Sequence, residues 1–187
     1  KKLARKAFTL TYKYDEMIDN YFREILGEAE LMDLHYEKVC SLRYGENPQQ
    51  KAAFFRHPEN HDANVTNSKV LHGKELSFNN IVDADSALEL VKEFKEPTVV
   101  FVKHNNPCGV ASSDTIEDAF IKAYNVDPMS AFGCIIALNR EVTDGILDQM
   151  KAENMFVELI IAPSYAPSAL KRLMTRKNLR ILETGDL

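Results

Sequence analysis

Apolar residues recur along this chain with more than one period. From residue 2 to about residue 26, Leu3, Phe8, Tyr12, Met17, Ile18, Tyr21, Phe22 and Ile25 return at near-helical spacing, and Gly27 is placed to stop that helix. From Leu31 to about Ser77 the pattern is lost. Gly45, Pro48, Pro58 and Gly73 break up a stretch rich in Asn, Gln and His, which predicts short strands joined by functional loops, or an extended arm. From Asn79 the pattern becomes regular. Asn80–Phe94 predicts a helix with Ile81, Ala84, Leu88 and Val91 on one face. Thr98–Val102 is a nearly continuous apolar run, the mark of a strand buried on both faces. A polar turn, Lys103 to Gly109, follows it. Thr115-Ile116-Glu117-Asp118 matches a capping box opening a helix through Tyr124. Ile135–Leu138 and Leu159–Ala162 predict two more buried strands, Thr143 to about Asn154 and Pro167–Lys177 two more helices, and Leu179–Leu182 a fourth strand.

This alternation predicts a layered α/β domain with a largely parallel sheet, preceded by an N-terminal helix. In such sheets ligands bind beyond the carboxyl ends of the strands. The turns Lys103–Gly109 and Pro163–Tyr165 both follow strands, so both are places to look for chemistry.

At 187 residues, 45% hydrophobic and 27% charged, the chain has enough apolar material for a core and is not a disordered polymer. The net charge of −5 argues against a broad nucleic-acid-binding surface, though not against a local cationic pocket. No apolar run approaches the roughly 20 residues of a membrane span, and Lys1–Arg5 leads into no secretory apolar segment. Cys40, Cys108 and Cys134 are too few and too scattered for a disulfide framework, which suits a reducing cytoplasm. Asn64-Val65-Thr66 matches a glycosylation acceptor, a pattern with meaning only in a secreted chain. Residue 1 is Lys rather than Met, the expectation for a processed chain or a piece of a longer one.

Lys103-His104-Asn105-Asn106-Pro107-Cys108-Gly109 carries the most chemistry. A Lys held after a buried strand can neutralise an oxyanion, and His can act as general base near neutrality. The plainer alternative is a loop whose side chains satisfy backbone groups. In Arg43–Gln50, Arg suits a phosphate and Tyr can stack on a base, although an Arg-Tyr pair is also a common surface contact. Gly133, before a buried strand, either lets a ligand approach the backbone or is a strand-entry turn with Phe132 in the core. Glu158 either binds ribose hydroxyls or is a solvated strand end. A zinc nucleoside deaminase would need Pro-Cys-x-x-Cys, and Cys108 is followed by Gly109, Val110 and Ala111. His35-x-Glu37 and His57-x-Glu59 match His-x-Glu only in letters, and His57 and His61 sit where Pro58 disfavours a helix. Phosphate-loop and serine-hydrolase signatures do not occur.

Arg43-Tyr44-Gly45-x-Asn47-Pro48-x-Gln50, Lys103-His104-x-Asn106-Pro107-Cys108-Gly109 and Asp127-Pro128-x-Ser130-Ala131-Phe132-Gly133, in that order, resemble the bifunctional purine biosynthesis proteins, most closely their bacterial form. Members join an IMP cyclohydrolase to an aminoimidazole carboxamide ribonucleotide (AICAR) formyltransferase. The resemblance implies that residues 1–30 are a linker helix following a cyclohydrolase domain, and that residues 31–187 are the first of two zinc-free, cytidine-deaminase-like subdomains. It implies Lys103 and His104 as the catalytic pair. Arg43 near the phosphate, Tyr44, Gly133 and Glu158 would bind the nucleotide, with Glu158 where some relatives have Asp. Leu10 stands where the family commonly has His, and Cys134 where bacterial members usually have Gly.

The resemblance further implies formyl transfer from 10-formyltetrahydrofolate, a cosubstrate rather than a tightly bound cofactor, to the 5-amino group of AICAR. It implies a cytoplasmic homodimer with sites between subunits, and no nucleic-acid or membrane partner. The isolated chain, with half the folate contacts elsewhere, is expected to be inactive. A non-catalytic fragment that binds nucleotide or dimerises is the main alternative, and a zinc deaminase the other.

Overall fold

The computed structural model describes every residue except Glu30 and Asp33. The chain divides into two compact units, Lys1–His35 and Tyr36–Leu187. The predicted boundary between residues 30 and 31 falls on Glu30, outside the described residues.

The first unit is built on α1 (Lys2–Leu26). Gly27, at φ 62°, closes it in the left-handed conformation, and the Glu28 N–H donates to the Arg23 carbonyl at 3.0 Å. Within this unit the His35 Nε2 lies 3.0 Å from Glu16 Oε1 and 3.2 Å from the Tyr12 hydroxyl. The His35 contact holds the Glu16 carboxyl below its ordinary range.

The second unit opens with an antiparallel pair, β1 (Glu37–Leu42) and β2 (Ala52–Arg56). The remaining elements are β3 (Lys69–His72), α2 (Phe78–Lys92), β4 (Thr98–Lys103), β5 (Asn106–Ser112), α3 (Ile116–Tyr124), β6 (Cys134–Leu138), α4 (Asp144–Ala152), β7 (Val157–Ala162), α5 (Pro167–Leu173) and β8 (Arg180–Glu183). Polar side chains cap α2, α3 and α4, and α2 begins at Phe78 rather than at the predicted Asn80. Ser77 Oγ accepts from the Asn80 N–H and Thr115 Oγ1 from the Asp118 N–H, both at 3.2 Å, and Thr143 caps α4. Pro167 opens α5, where its missing N–H costs no hydrogen bond.

Among the described residues a six-stranded sheet runs in the order β3-β8-β7-β6-β4-β5. Alternate side chains feed two cores. Phe101, Ile136, Leu138, Ile160 and Ile181 face Phe120, Ile146, Met150 and Leu173 of α3, α4 and α5. Val100, Val102, Ile135, Leu159 and Ile161 face Ala84, Ala87, Leu88 and Val91 of α2. Each buried Leu, Ile or Phe in these layers contributes about 1.5–3 kcal/mol of transfer free energy.

The layered α/β architecture agrees with the sequence, and the sheet within it is mixed. Only β6-β7 and β7-β8 pair parallel, while β3-β8, β4-β5 and β4-β6 are antiparallel. The predicted turn Lys103–Gly109 shrinks to His104-Asn105, because Asn106–Ser112 pairs back along β4 from Lys103↔Asn106 onward. Pro107 is tolerated there because β5 is an edge strand. The reversal also separates the two turns proposed for chemistry. The end of β4 lies beside the starts of β6 and β7, whereas Pro163–Tyr165 follows β7 at the opposite end of the sheet. There Tyr165 is buried, its hydroxyl 2.8 Å from the Leu182 carbonyl and 3.0 Å from that of Ile160. α5 stops at Leu173, short of the predicted Lys177. No helix among the described residues is long and apolar enough to cross a membrane.

Gly109 shows how closely β5 and α3 approach. A Cβ built there would lie 2.1 Å from the Ala123 carbonyl oxygen. Gly109→Ala is therefore expected to lower unfolding stability by about 2 kcal/mol or more, as overpacking against fixed backbone does. A urea midpoint equal to that of the parent would refute this.

Candidate functional site

The His104-Asn105 turn is the sharpest local feature of the second unit. Its two residues have φ 53° and 62°, both left-handed. That is the signature of a type I′ two-residue hairpin, usually built with Asn or Gly. His in this conformation is uncommon. The turn is held from outside: the Asn105 N–H donates to Asp83 Oδ1 at 2.7 Å, and the Ser86 hydroxyl donates to Asn105 Oδ1. Asn106 Nδ2 donates to the His104 carbonyl at 2.8 Å. The His104 ring stays exposed at the tip.

Lys103, the last residue of β4, points to the next strand. Its ammonium donates to the Phe132 carbonyl at 2.7 Å. The loop presenting that carbonyl is fixed by Asp127, whose carboxylate accepts from the Ser130 N–H at 3.0 Å and the Ser130 hydroxyl at 2.5 Å. Those Ser130 bonds hold the Asp127 carboxyl below its ordinary range. Gly133 follows at φ 73°, donating to the Phe156 carbonyl at 2.8 Å. A Cβ at Gly133 would meet only the Phe156 ring at 3.6 Å, so its backbone angle, not crowding, is what requires glycine. Phe132 is not in the core. It is 64% exposed and tilts against Phe156 with ring centroids 5.2 Å apart.

Glu158 lies inside β7 rather than before it, and it is not a simply solvated carboxylate. Its Oε2 accepts from Asn80 Nδ2 at 3.1 Å and lies 3.7 Å from Arg180 Nη1. Asn80 and Arg180 are both buried. Asn80 also accepts from the Ser77 hydroxyl and N–H, and Arg180 Nε donates to the Glu75 carbonyl at 3.2 Å. Burial pulls the Arg180 guanidinium below its ordinary range, Glu158 opposes that shift, and the Arg43 charge adds to it.

Arg43 lines a cavity of about 360 Å³ together with Gly73, Lys74 and Glu75, the residue whose carbonyl holds Arg180. The Arg43 guanidinium stands 5.6 Å from the Tyr44 ring centroid. Their loop is closed by Gln50: the Gly45 N–H donates to its carbonyl at 3.0 Å, and the Asn47 N–H to its side-chain oxygen at 2.9 Å.

The structure thus gathers Lys103, Gly133, Glu158, Arg43 and Tyr44 around one end of the sheet. A cavity of about 790 Å³ is lined by Phe132, Glu158, Arg176 and Arg180. His104 faces another, of about 460 Å³, together with Glu46, Asn79 and Asp83. The first turn of α2 stands between them, since Asn79 lines one and Asn80 binds Glu158 in the other. Chemically this end offers cations for an anionic group, a carboxylate whose second oxygen has no protein donor among the described residues, and an imidazole on the residue that follows Lys103. Among the described residues no three His, Cys, Asp or Glu side chains form a metal-binding cluster. Sequence reasoning missed Asn80, Asp83 and Arg180. Nothing in the sequence sets them apart, since Asn79, Asp85 and Glu89 are equally polar neighbours in the same helix and Arg180 begins a strand.

Comparison with known proteins gives the family of the chain. The profile of the AICARFT/IMPCHase bienzyme family matches residues 1–187. The chain belongs to that family. It is 51% identical to the bifunctional purine biosynthesis protein PurH of Acetivibrio thermocellus over 189 residues, covering 100% of this chain and 36% of that protein. It is 52% identical to PurH of Halalkalibacterium halodurans over 184 residues, and 50% identical to that of Caldicellulosiruptor saccharolyticus over 186 residues, again covering 36% of each. The chain spans about 36% of the length of these relatives.

In this member of the AICARFT/IMPCHase family, Cys134 packs as a small apolar residue behind Gly133. It is buried, and burial pushes its thiol up strongly. Cys108 sits in a bulge of β5, its thiol 3.5 Å from the Phe101 carbonyl and also pushed up by burial. Cys40 is exposed. Because the thiolate is the reactive form, a disulfide reagent at about pH 8 should titrate one fast thiol in the native chain, which Cys40→Ser abolishes. Fast modification of Cys134 without unfolding would contradict the packing described.

Proposed function

We propose that this chain forms part of the AICAR formyltransferase site of a bifunctional purine-biosynthesis enzyme. The observation that supports this most is the hairpin that sets His104, in a left-handed conformation, next in sequence to Lys103, whose ammonium donates to the Phe132 carbonyl just before Gly133. Membership of the AICARFT/IMPCHase family supplies the substrate class. The reading takes α1 as the segment following a cyclohydrolase domain and the second unit as one of two formyltransferase subdomains, working as a cytoplasmic dimer.

In this reading Arg43 binds the AICAR phosphate, Tyr44 packs beside the nucleotide, Gly133 lines it, and Glu158 accepts from ribose hydroxyls. The 5-amino nitrogen attacks the formyl carbon of 10-formyltetrahydrofolate, giving a tetrahedral intermediate with an oxyanion. The amine is conjugated with the imidazole and carboxamide and is a weak nucleophile, so His104 takes its proton as the bond forms. Lys103 stabilises the oxyanion. The intermediate collapses with cleavage of the bond from carbon to the folate N10, which takes up a proton. Both substrates must be aligned, so positioning contributes alongside proton transfer. The isolated chain binds nucleotide without turnover, because the remaining contacts lie elsewhere in the enzyme.

Calorimetric titration of the chain with AICAR should show binding that Arg43→Ala weakens by about tenfold or more, the loss of a charge-assisted phosphate contact. Heat unaffected by that substitution would remove Arg43 from the site. In the complete enzyme, His104→Asn should lower kcat by about 100-fold or more while leaving AICAR affinity nearly unchanged. Asn is well suited to the left-handed turn, so this substitution removes the imidazole without disturbing the backbone. Undiminished turnover in His104→Asn would overturn the base assignment.

A further inference from the structure

We infer that Asp83 is a positioning residue: it clamps the His104-Asn105 turn and so fixes where the His104 imidazole stands. The inference rests on the reading of His104 given above. His104 in the left-handed region costs on the order of 1–2 kcal/mol, and Asn105 less, so the turn needs support from its surroundings. On one side, Lys103 is fixed by its pairing with Asn106 and by its bond to the Phe132 carbonyl. On the other, the Asn105 N–H donates to Asp83 Oδ1 at 2.7 Å, which ties the backbone of the turn to α2. A carboxylate acceptor makes it a charge-assisted bond, about twice as strong as a neutral one. The Ser86 hydroxyl binds the Asn105 side chain from the next turn of the helix.

Asp83 can hold that position because α2 itself cannot shift. Ala84, Ala87, Leu88 and Val91 are fully buried against the sheet, and Ser77 and Asn80 lock the first turn by a reciprocal cap. Asp83 also lines the cavity that His104 faces, without a hydrogen bond to the ring. Its effect on chemistry therefore passes through the backbone of the turn.

The test compares Asp83→Ala, which removes the acceptor, with Asp83→Asn, which keeps an acceptor oxygen. In the chain, hydrogen exchange of the Asn105 amide read by NMR should accelerate by about tenfold or more in Asp83→Ala and by much less in Asp83→Asn, while amides of β6 and β7 keep their protection. In the complete enzyme, Asp83→Ala should lower kcat by about 10–100-fold with the AICAR KM within about threefold, and Asp83→Asn should recover most of that loss. Unchanged Asn105 exchange in Asp83→Ala would overturn the inference. So would a kcat equal to that of the parent, or Asp83→Asn failing as deeply as Asp83→Ala. If Asp83→Ala also loses protection throughout β6 and β7, Ser86→Ala decides: faster Asn105 exchange with a lowered kcat supports the clamp, and no change in either rejects it. Absence of formyl transfer in the unsubstituted complete enzyme would instead refute the functional reading, a result separate from all of these.

Discussion

Helix α2 is gripped by the sheet through small side chains and is, in turn, the element from which the proposed site hangs. Ala84 and Ala87 let its axis approach closely, and Leu88 and Val91 fill the remaining space over β4, β6 and β7. The polar residues at 77, 80, 83 and 86 wind round the same helix and reach different parts of the site. Asn80 carries the cap to Glu158, and Asp83 and Ser86 carry it to the hairpin. A rigid-body shift of α2 would thus move the carboxylate and the imidazole together. Their relative placement depends on the packing of one helix rather than on two independent loops, which is the kind of preorganisation that group transfer between two substrates requires.

The direction of β4 decides which residues can share that site. Because β4 runs antiparallel to β6, its carboxyl end meets the amino ends of β6, β7 and β8. Lys103 therefore reaches the Phe132 carbonyl beside Gly133, with Glu158 in the first residues of β7 and Arg180 at the start of β8. A fully parallel sheet would have carried Lys103 to the end occupied by Pro163–Tyr165, away from Gly133 and Glu158. The backbone at the working end is then satisfied by side chains: Lys103 covers the Phe132 carbonyl and Arg180 that of Glu75. Both cations are partly engaged before any ligand arrives, so an anionic ligand would meet groups already held in place.

The elements with strong local signals were legible in the sequence. Thr98–Val102, Ile135–Leu138 and Leu159–Ala162 read as buried strands because both faces are apolar, and Thr115 marked a helix start by its capping chemistry. β5 was not legible. Asn106-Pro107-Cys108-Gly109 has little strand propensity, and it is a strand because β4 offers it a ladder and because an edge tolerates Pro107 and a bulge at Cys108. The proposed residues Arg43, Tyr44, Lys103 and His104 stood out in the sequence by their clustering in polar stretches. Asn80, Asp83 and Arg180 could not, because a polar residue in a helix or strand gains its meaning only from what the fold brings opposite it.

The hairpin is where local preference and the observed structure disagree most. Local energetics at a type I′ turn favour Asn-Gly, and the chain places His-Asn there. A glycine at position 104 would relieve the backbone, yet it would leave no side chain at the tip. Keeping His104 means that the turn must be stabilised by contacts made elsewhere, and the carboxylate of Asp83 and the hydroxyl of Ser86 are the groups in place to do so. Departures from local rules concentrate at functional sites, where surrounding structure over-determines a conformation the segment would not choose alone. On that argument the strained His104 and the α2 polar residues beneath it are two halves of one feature: the first is tolerable only because of the second.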